Sequence, residues 1–164
     1  MTRYFVLAAS AIAACSSPAY ADSSFGRLVD SRSLASFAQD TCGTAAKKSN
    51  TNLVSKAKLS KWDELGRTAA TPPGSRAWMV SLKGQPVIVD VTKAAIGRTC
   101  SVSAVTDPSS VVGAILRLRG AKPQTRKLKS NTIVTWPATK TFPRTDVAYG
   151  GGQAMARITY AFTN

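Results

Sequence analysis

The chain has 164 residues, with 22 Lys and Arg against 8 Asp and Glu, no histidine, three cysteines and a formal net charge of +14. Without histidine, Ser-His-Asp and Cys-His nucleophiles and His-based zinc centres are excluded, as is the usual side chain that titrates near neutral pH. Hydrophobic residues at 44% are enough for a globular core, and the charge implies attraction for anionic surfaces or polymers without specifying a fold.

Met1–Arg3 is a short positive segment, and Tyr4–Ala14 is an apolar run too short to span a bilayer, which is the arrangement of a secretory signal. Two processing routes fit. Ala19-Tyr20-Ala21 is a small-x-small pattern that predicts cleavage before Asp22, making residues 1–21 a signal peptide. Ile12-Ala13-Ala14-Cys15 instead resembles a bacterial lipobox, in which Cys15 is lipidated and the following Ser16 favours the outer membrane. The expected location is therefore the periplasm or the medium, with an outer-membrane lipoprotein as the alternative. Residues 22–164 are expected to form a single domain, and no later stretch reads as a transmembrane span. Either route removes or consumes Cys15, leaving Cys42 and Cys100 as a pair. In an oxidising compartment a disulfide is the expectation, with two separate buried thiols as the alternative.

From Ser33, apolar residues at Leu34, Phe37, Ala38, Cys42 and Ala45 follow helical spacing, which directs Cys42 inward. A second helix is expected over about Leu53–Leu65, stopped by Gly66, before Thr71-Pro72-Pro73-Gly74 breaks the chain. The period then changes to two. Trp78, Val80 and Leu82 share one face of a strand, Gly84-Gln85-Pro86 turns it back into Val87–Val91, and Cys100, Val102 and Ala104 share a face of a third strand. Asp107-Pro108 is an N-cap with proline at the first helical position. It opens a helix through Val111, Val112, Ile115, Leu116 and Leu118 that ends at Gly120. Thr132–Trp136 reads as a strand, Ala138–Gly152 as loop-rich, and Arg157–Phe162 as a final strand. The resulting fold class is α+β, with N-terminal helices packed on an antiparallel sheet and a third helix between strands.

The helix Phe37-Ala38-Gln39-Asp40-Thr41-Cys42, a central Trp and Cys100-Ser101-Val102 together resemble uncharacterised small exported proteins of proteobacteria. The resemblance spans most of the mature chain. It implies export but carries no catalytic residue.

Ser55-Lys56-Ala57-Lys58 matches the S-x-x-K of serine acyl enzymes, yet neither S-D-N nor K-T-G follows, so a solvated helix face explains it. A glycosidase needs two opposed carboxylates. Asp63 and Glu64 are adjacent and diverge on a helix, Asp107 is explained as a cap, and Asp40, Asp90 and Asp146 carry no signature. No calcium loop or complete zinc shell is present, and Gly150-Gly151-Gly152 reads as a turn rather than a phosphate loop. No catalytic residue, metal or cofactor is expected.

Charge is the feature above background. Between Asp107 and Asp146 there is no acidic residue, while Arg117, Arg119, Lys122, Arg126, Lys127 and Lys129 accumulate, and Lys140 and Arg144 follow; a second acid-free run holds Lys47, Lys48, Lys56, Lys58 and Lys61. The expected function is a non-enzymatic envelope protein that binds an anionic lipid, an anionic glycan or an acidic protein through Arg117, Arg119, Lys122, Arg126, Lys127 and Lys129. Nucleic acid ranks lower, because export separates the chain from it and aromatic residues do not interleave with the cations. Two rivals differ in what they require. A cryptic envelope hydrolase needs Lys58, Asp63, Glu64 and Asp146 to converge, and a structural subunit needs an exposed apolar patch around Trp78, Trp136 or Phe142.

Overall fold

Apolar side chains at alternate positions of six of seven strands point to one side of a sheet in the computed structural model, which describes residues 27–44, 64–66, 74–94, 97–150 and 154–162. The strands are β1 (Arg76–Leu82), β2 (Gln85–Ala94), β3 (Gly97–Val105), β4 (Gln124–Leu128), β5 (Asn131–Trp136), β6 (Arg144–Gly150) and β7 (Met155–Phe162). They run antiparallel in the order β1-β2-β3-β7-β6-β5-β4. Two meanders, β1–β3 and β4–β7, thus meet at the β3–β7 seam. The helix α2 (Pro108–Arg119) carries the chain from the central β3 to the far edge at β4.

The covered face holds Trp78, Val87, Val89, Cys100, Val102, Val134, Trp136, Val147, Ile158 and Tyr160, all buried. Over it lie α2, through Val111, Ala114 and Ile115, and α1 (Ser31–Ala38), through Leu34, Ala35 and Ala38. This is the expected α+β arrangement, and three of its features follow the sequence closely. Cys100, Val102 and Ala104 share the inner face of β3. The Asp107 carboxylate accepts from the N–H groups of Ser109 and Ser110, with Pro108 starting α2. Gly120 ends α2 in the left-handed region at φ 64° and donates its N–H to the Leu116 carbonyl at 2.8 Å, a conformation that costs glycine least.

Several boundaries differ. The first helix begins at Ser31, because Asp30 caps it through a 2.8 Å bond from the Ser33 N–H. It then widens into a π-helical turn over Gln39–Gly43. An extra residue per turn rotates the chain, and Thr41, Cys42 and Gly43 are all buried there. The first hairpin turns at Lys83-Gly84, so Gln85 and Pro86 already belong to β2 and pair with Leu82 and Ser81. Most of the expected second helix lies outside the described residues. Its end is extended instead: Glu64 bridges to Trp78, and the Leu65 N–H donates to the Ala77 carbonyl at 2.8 Å. Leu116 and Leu118, expected on the apolar face of α2, are exposed, and Ala114 fills the inner position. The span Ala138–Gly152 is not simply loop, since Arg144–Gly150 forms β6, and Gln124–Leu128 forms β4 in a stretch to which the sequence assigns no element. β4 carries Thr125 as its one β-branched residue, so little marks it as a strand, whereas β6 does alternate Thr145, Val147 and Tyr149.

Candidate anion-binding groove

The six cations that the sequence groups as one field divide in space. Arg119 is built into the structure. Its guanidinium donates to the carbonyls of Pro137 (2.7 Å) and Pro143 and to Thr145 Oγ1 (2.9 Å), and it lies 4.9 Å from the centre of the Phe142 ring. Burial pushes its pKa below the ordinary arginine value. Arg119 therefore acts as a clamp on the β5–β6 loop, with its donors turned inward rather than toward the other five cations. Arg117 lines a groove of about 430 Å³ with Asp30, Arg32 and Asp107, where both signs of charge meet. Hydrogen bonds from Ser33, and from Ser110 and Ser109, hold the Asp30 and Asp107 carboxyls below the usual range. That groove is no cationic patch. Lys122 is exposed in the link between α2 and β4.

Strand alternation separates the next pair. Arg126 pairs with Ile133 and shares its row with Ala148 and Arg157 on the open face, whereas Lys127 shares its row with Thr132, Tyr149 and Ala156 on the covered face. There α2 stops short of the sheet end, leaving an open groove of about 560 Å³. Lys127, Lys129, Ser130, Asn131, Thr132 and Tyr149 face Pro108 and Ser109 across it, with Asp107 at its rim. The two ammonium groups outnumber the one carboxylate, which Ser109 and Ser110 already engage. Lys129 stands at the tip of the β4–β5 turn with φ 46°. A two-residue hairpin turn requires this left-handed conformation, and Lys83 adopts it likewise in the β1–β2 hairpin at φ 52°. Ser130, Asn131, Thr132 and Tyr149 were not singled out from the sequence. The available signal is the polar trio Lys129-Ser130-Asn131 directly before the alternating run Thr132–Trp136.

Cys42 and Cys100 form the expected disulfide, with Cα atoms 5.4 Å apart, tying the π-helical turn to the centre of β3. Cys15, Ser55, Lys58 and Asp63 lie outside the described residues, as do residues 1–21 and the lysine run 47–61. Among the described residues, no cluster of three or more Cys, Asp or Glu is arranged to hold a metal, and no helix is long and apolar enough to cross a membrane.

Among the described residues, Glu64, Asp90 and Asp146 do not converge. Glu64 is paired with Arg76 beside the β1 edge, roughly 24 Å from β6 across five strand spacings. Asp90 and Asp146 share a row of the open face, separated by β3 and β7, three spacings or about 14 Å. Glycosidic pairs stand at most about 9.5 Å apart. Trp78 and Trp136 are buried, and Phe142 lies under Arg119, so the apolar patch that a structural subunit requires is not at those residues.

On the open face, Arg157 bonds Asp90 at 2.6 Å and Ser101 at 3.2 Å, and Ser101 bonds Thr159 at 3.0 Å. The Asp90 side chain is only 14% exposed. Burial raises its pKa, outweighing the attraction of Arg157. A raised folded-state pKa means that the ionised form is held at a cost near neutrality, and that this cost disappears as pH falls through the raised value. Asp90→Asn should therefore leave the melting temperature at pH 7 unchanged or raise it by one or two degrees, roughly the range of a surface substitution. The difference from wild type should shrink at acid pH. A fall of more than about 5 °C at pH 7 would show that the ion pair contributes net stability.

Chemically, the groove offers two ammonium donors with hydroxyl and amide groups beside a strand edge, an arrangement suited to holding an anion. No protein-family model, curated protein or solved structure matches this chain.

Proposed function

We propose that the protein is a non-enzymatic exported envelope protein that binds an anionic partner through the groove of Lys127 and Lys129. The observation that carries this reading is their convergence over Ser130, Asn131, Thr132 and Tyr149 where the sheet extends past α2. Arg126 and Lys122 add longer-range attraction, as does the net charge of +14. The Cys42–Cys100 disulfide supports an oxidising compartment, and hence the periplasm or the medium after removal of residues 1–21. Lipidation at Cys15 would instead anchor the same domain to the outer membrane.

Exposed charges are screened beyond about 8 Å at physiological ionic strength, so binding through this groove must weaken with salt. The test is co-sedimentation of the disulfide-bonded protein with phosphatidylglycerol vesicles, and retention on heparin, across a salt series. Retention on either that declines as salt rises supports the reading. No preference for phosphatidylglycerol over phosphatidylcholine, together with no retention on heparin, would overturn it.

A further inference from the structure

The sheet has two edges, and they are treated differently. At β1, residues 64–65 lie alongside, with Glu64 bridging to Trp78 and the Leu65 N–H bonded to the Ala77 carbonyl. At β4, the sheet order ends among the described residues, and all five residues Gln124–Leu128 are exposed. The two-residue turn Lys129-Ser130 closes its hairpin on the pair Leu128–Asn131, so Leu128, Arg126 and Gln124 turn their backbone groups toward β5. Thr125 and Lys127 consequently turn theirs outward. An exposed row of this kind is a template for another strand.

We infer that this edge of β4 takes up an extended acidic polypeptide segment as an additional strand, an inference that rests on the proposed anion-binding reading and names the partner class. The outward N–H and C=O groups of Thr125 and Lys127 offer up to four main-chain bonds. Side chains of an added strand alternate in direction. Residues opposite Thr125 and Lys127 fall on the covered face, over the groove that Lys127, Lys129, Ser130 and Thr132 line. Residues between them fall on the open face beside Arg126. A segment with Asp or Glu at every second position thus meets the lysines on one face while its backbone pairs with β4.

Charge decides against a second copy of this chain as the occupant. Antiparallel pairing of two β4 strands sets Arg126 and Lys127 among their own equivalents, and like charges opposed across strands are destabilising. The net charge of +14 adds to that repulsion. An acidic segment replaces it with attraction.

The test uses the disulfide-bonded protein and a fluorescein-labelled peptide alternating Val and Glu over seven residues. Its control has the same charge but is N-methylated at every backbone amide, so that it cannot donate main-chain bonds. In the protein, Thr125→Pro removes one outward N–H while leaving every bond to β5, and proline is accepted on such an edge. Anisotropy should show binding of the alternating peptide, with Thr125→Pro and the N-methylated peptide each weakening it about tenfold or more. Heparin retention of Thr125→Pro should equal that of wild type. In wild type, amide exchange at Thr125 and Lys127 should slow when the peptide binds, a readout independent of any variant. Undiminished binding of the N-methylated peptide, or unchanged exchange at those two amides, would overturn strand addition while leaving the anion-binding reading in place. Failure of wild type to bind either peptide would also overturn strand addition, and absence of both heparin retention and any preference for phosphatidylglycerol vesicles as well would remove both.

Discussion

Replacing Cys42 and Cys100 together with alanine is expected to cost about 4 kcal/mol of stability, the chain-entropy value for closing a loop between residues 58 apart. For a domain of this size, that lowers the melting temperature by roughly 10 °C. The effect is large because the bond joins elements distant in sequence at the centre of the core, where both half-cystines are fully buried. The other ties between the N-terminal segment and the sheet are noncovalent: Leu34, Ala35 and Ala38 pack into the core, Lys83 donates to Ser33, and Ser31 bonds Thr106. Tyr160 donates its hydroxyl to Gln39 Oε1 at 3.3 Å, Thr106 donates to the Val29 carbonyl at 2.7 Å, and the Val29 N–H donates to the Val105 carbonyl at 2.8 Å. Thermal unfolding of the oxidised protein against the double variant measures the cost. A shift below about 3 °C would mean that core packing alone holds the π-helical turn against β3.

Arg119→Ala is the second substitution with a large expected effect, about 2–3 kcal/mol, or roughly 5–10 °C in melting temperature. The guanidinium bonds two loop carbonyls and the Thr145 hydroxyl together, and Thr145 is itself fully buried. A lysine at this position cannot reproduce a planar fork with several fixed donors, so Arg119→Lys should recover only part of the loss. One cost already stands in the wild type, because Arg119 Nε is buried with no hydrogen-bond partner among the described residues. Heparin retention of folded Arg119→Ala should match wild type. Lost retention with an unchanged melting temperature would make Arg119 an exposed anion ligand after all.

Arg119 also shows what a sequence leaves hidden. In one dimension it sits within an acid-free basic run and is indistinguishable from Lys122 or Arg126. Only the return of the chain through Pro137, Pro143 and Thr145 gives three of its five donors internal partners. Features set by local chemistry were legible: the Asp107-Pro108 start and Gly120 stop of α2, the alternation of Cys100, Val102 and Ala104, and the pairing of the two cysteines in one core. Features set by pairing partners were not. β4 reads as a charged loop because none of its residues is buried, and it is a strand because β5 lies beside it. Missing β4 concealed the division of Arg126 from Lys127, since adjacent strand residues face opposite sides. The groove was hidden for the same reason, as Tyr149 and Thr132 come together only through the β5–β6 register.

The most direct test of groove binding compares wild type with a Lys127→Glu, Lys129→Glu variant on phosphatidylglycerol vesicles and on heparin, at low and at physiological salt. Both lysines are exposed, so reversing them should change the melting temperature by no more than a degree or two. It should reduce retention at least about tenfold at low salt on whichever surface holds the wild type, because attraction at the groove becomes repulsion. Equal retention of the folded variant and wild type, or retention insensitive to salt, would contradict binding through Lys127 and Lys129.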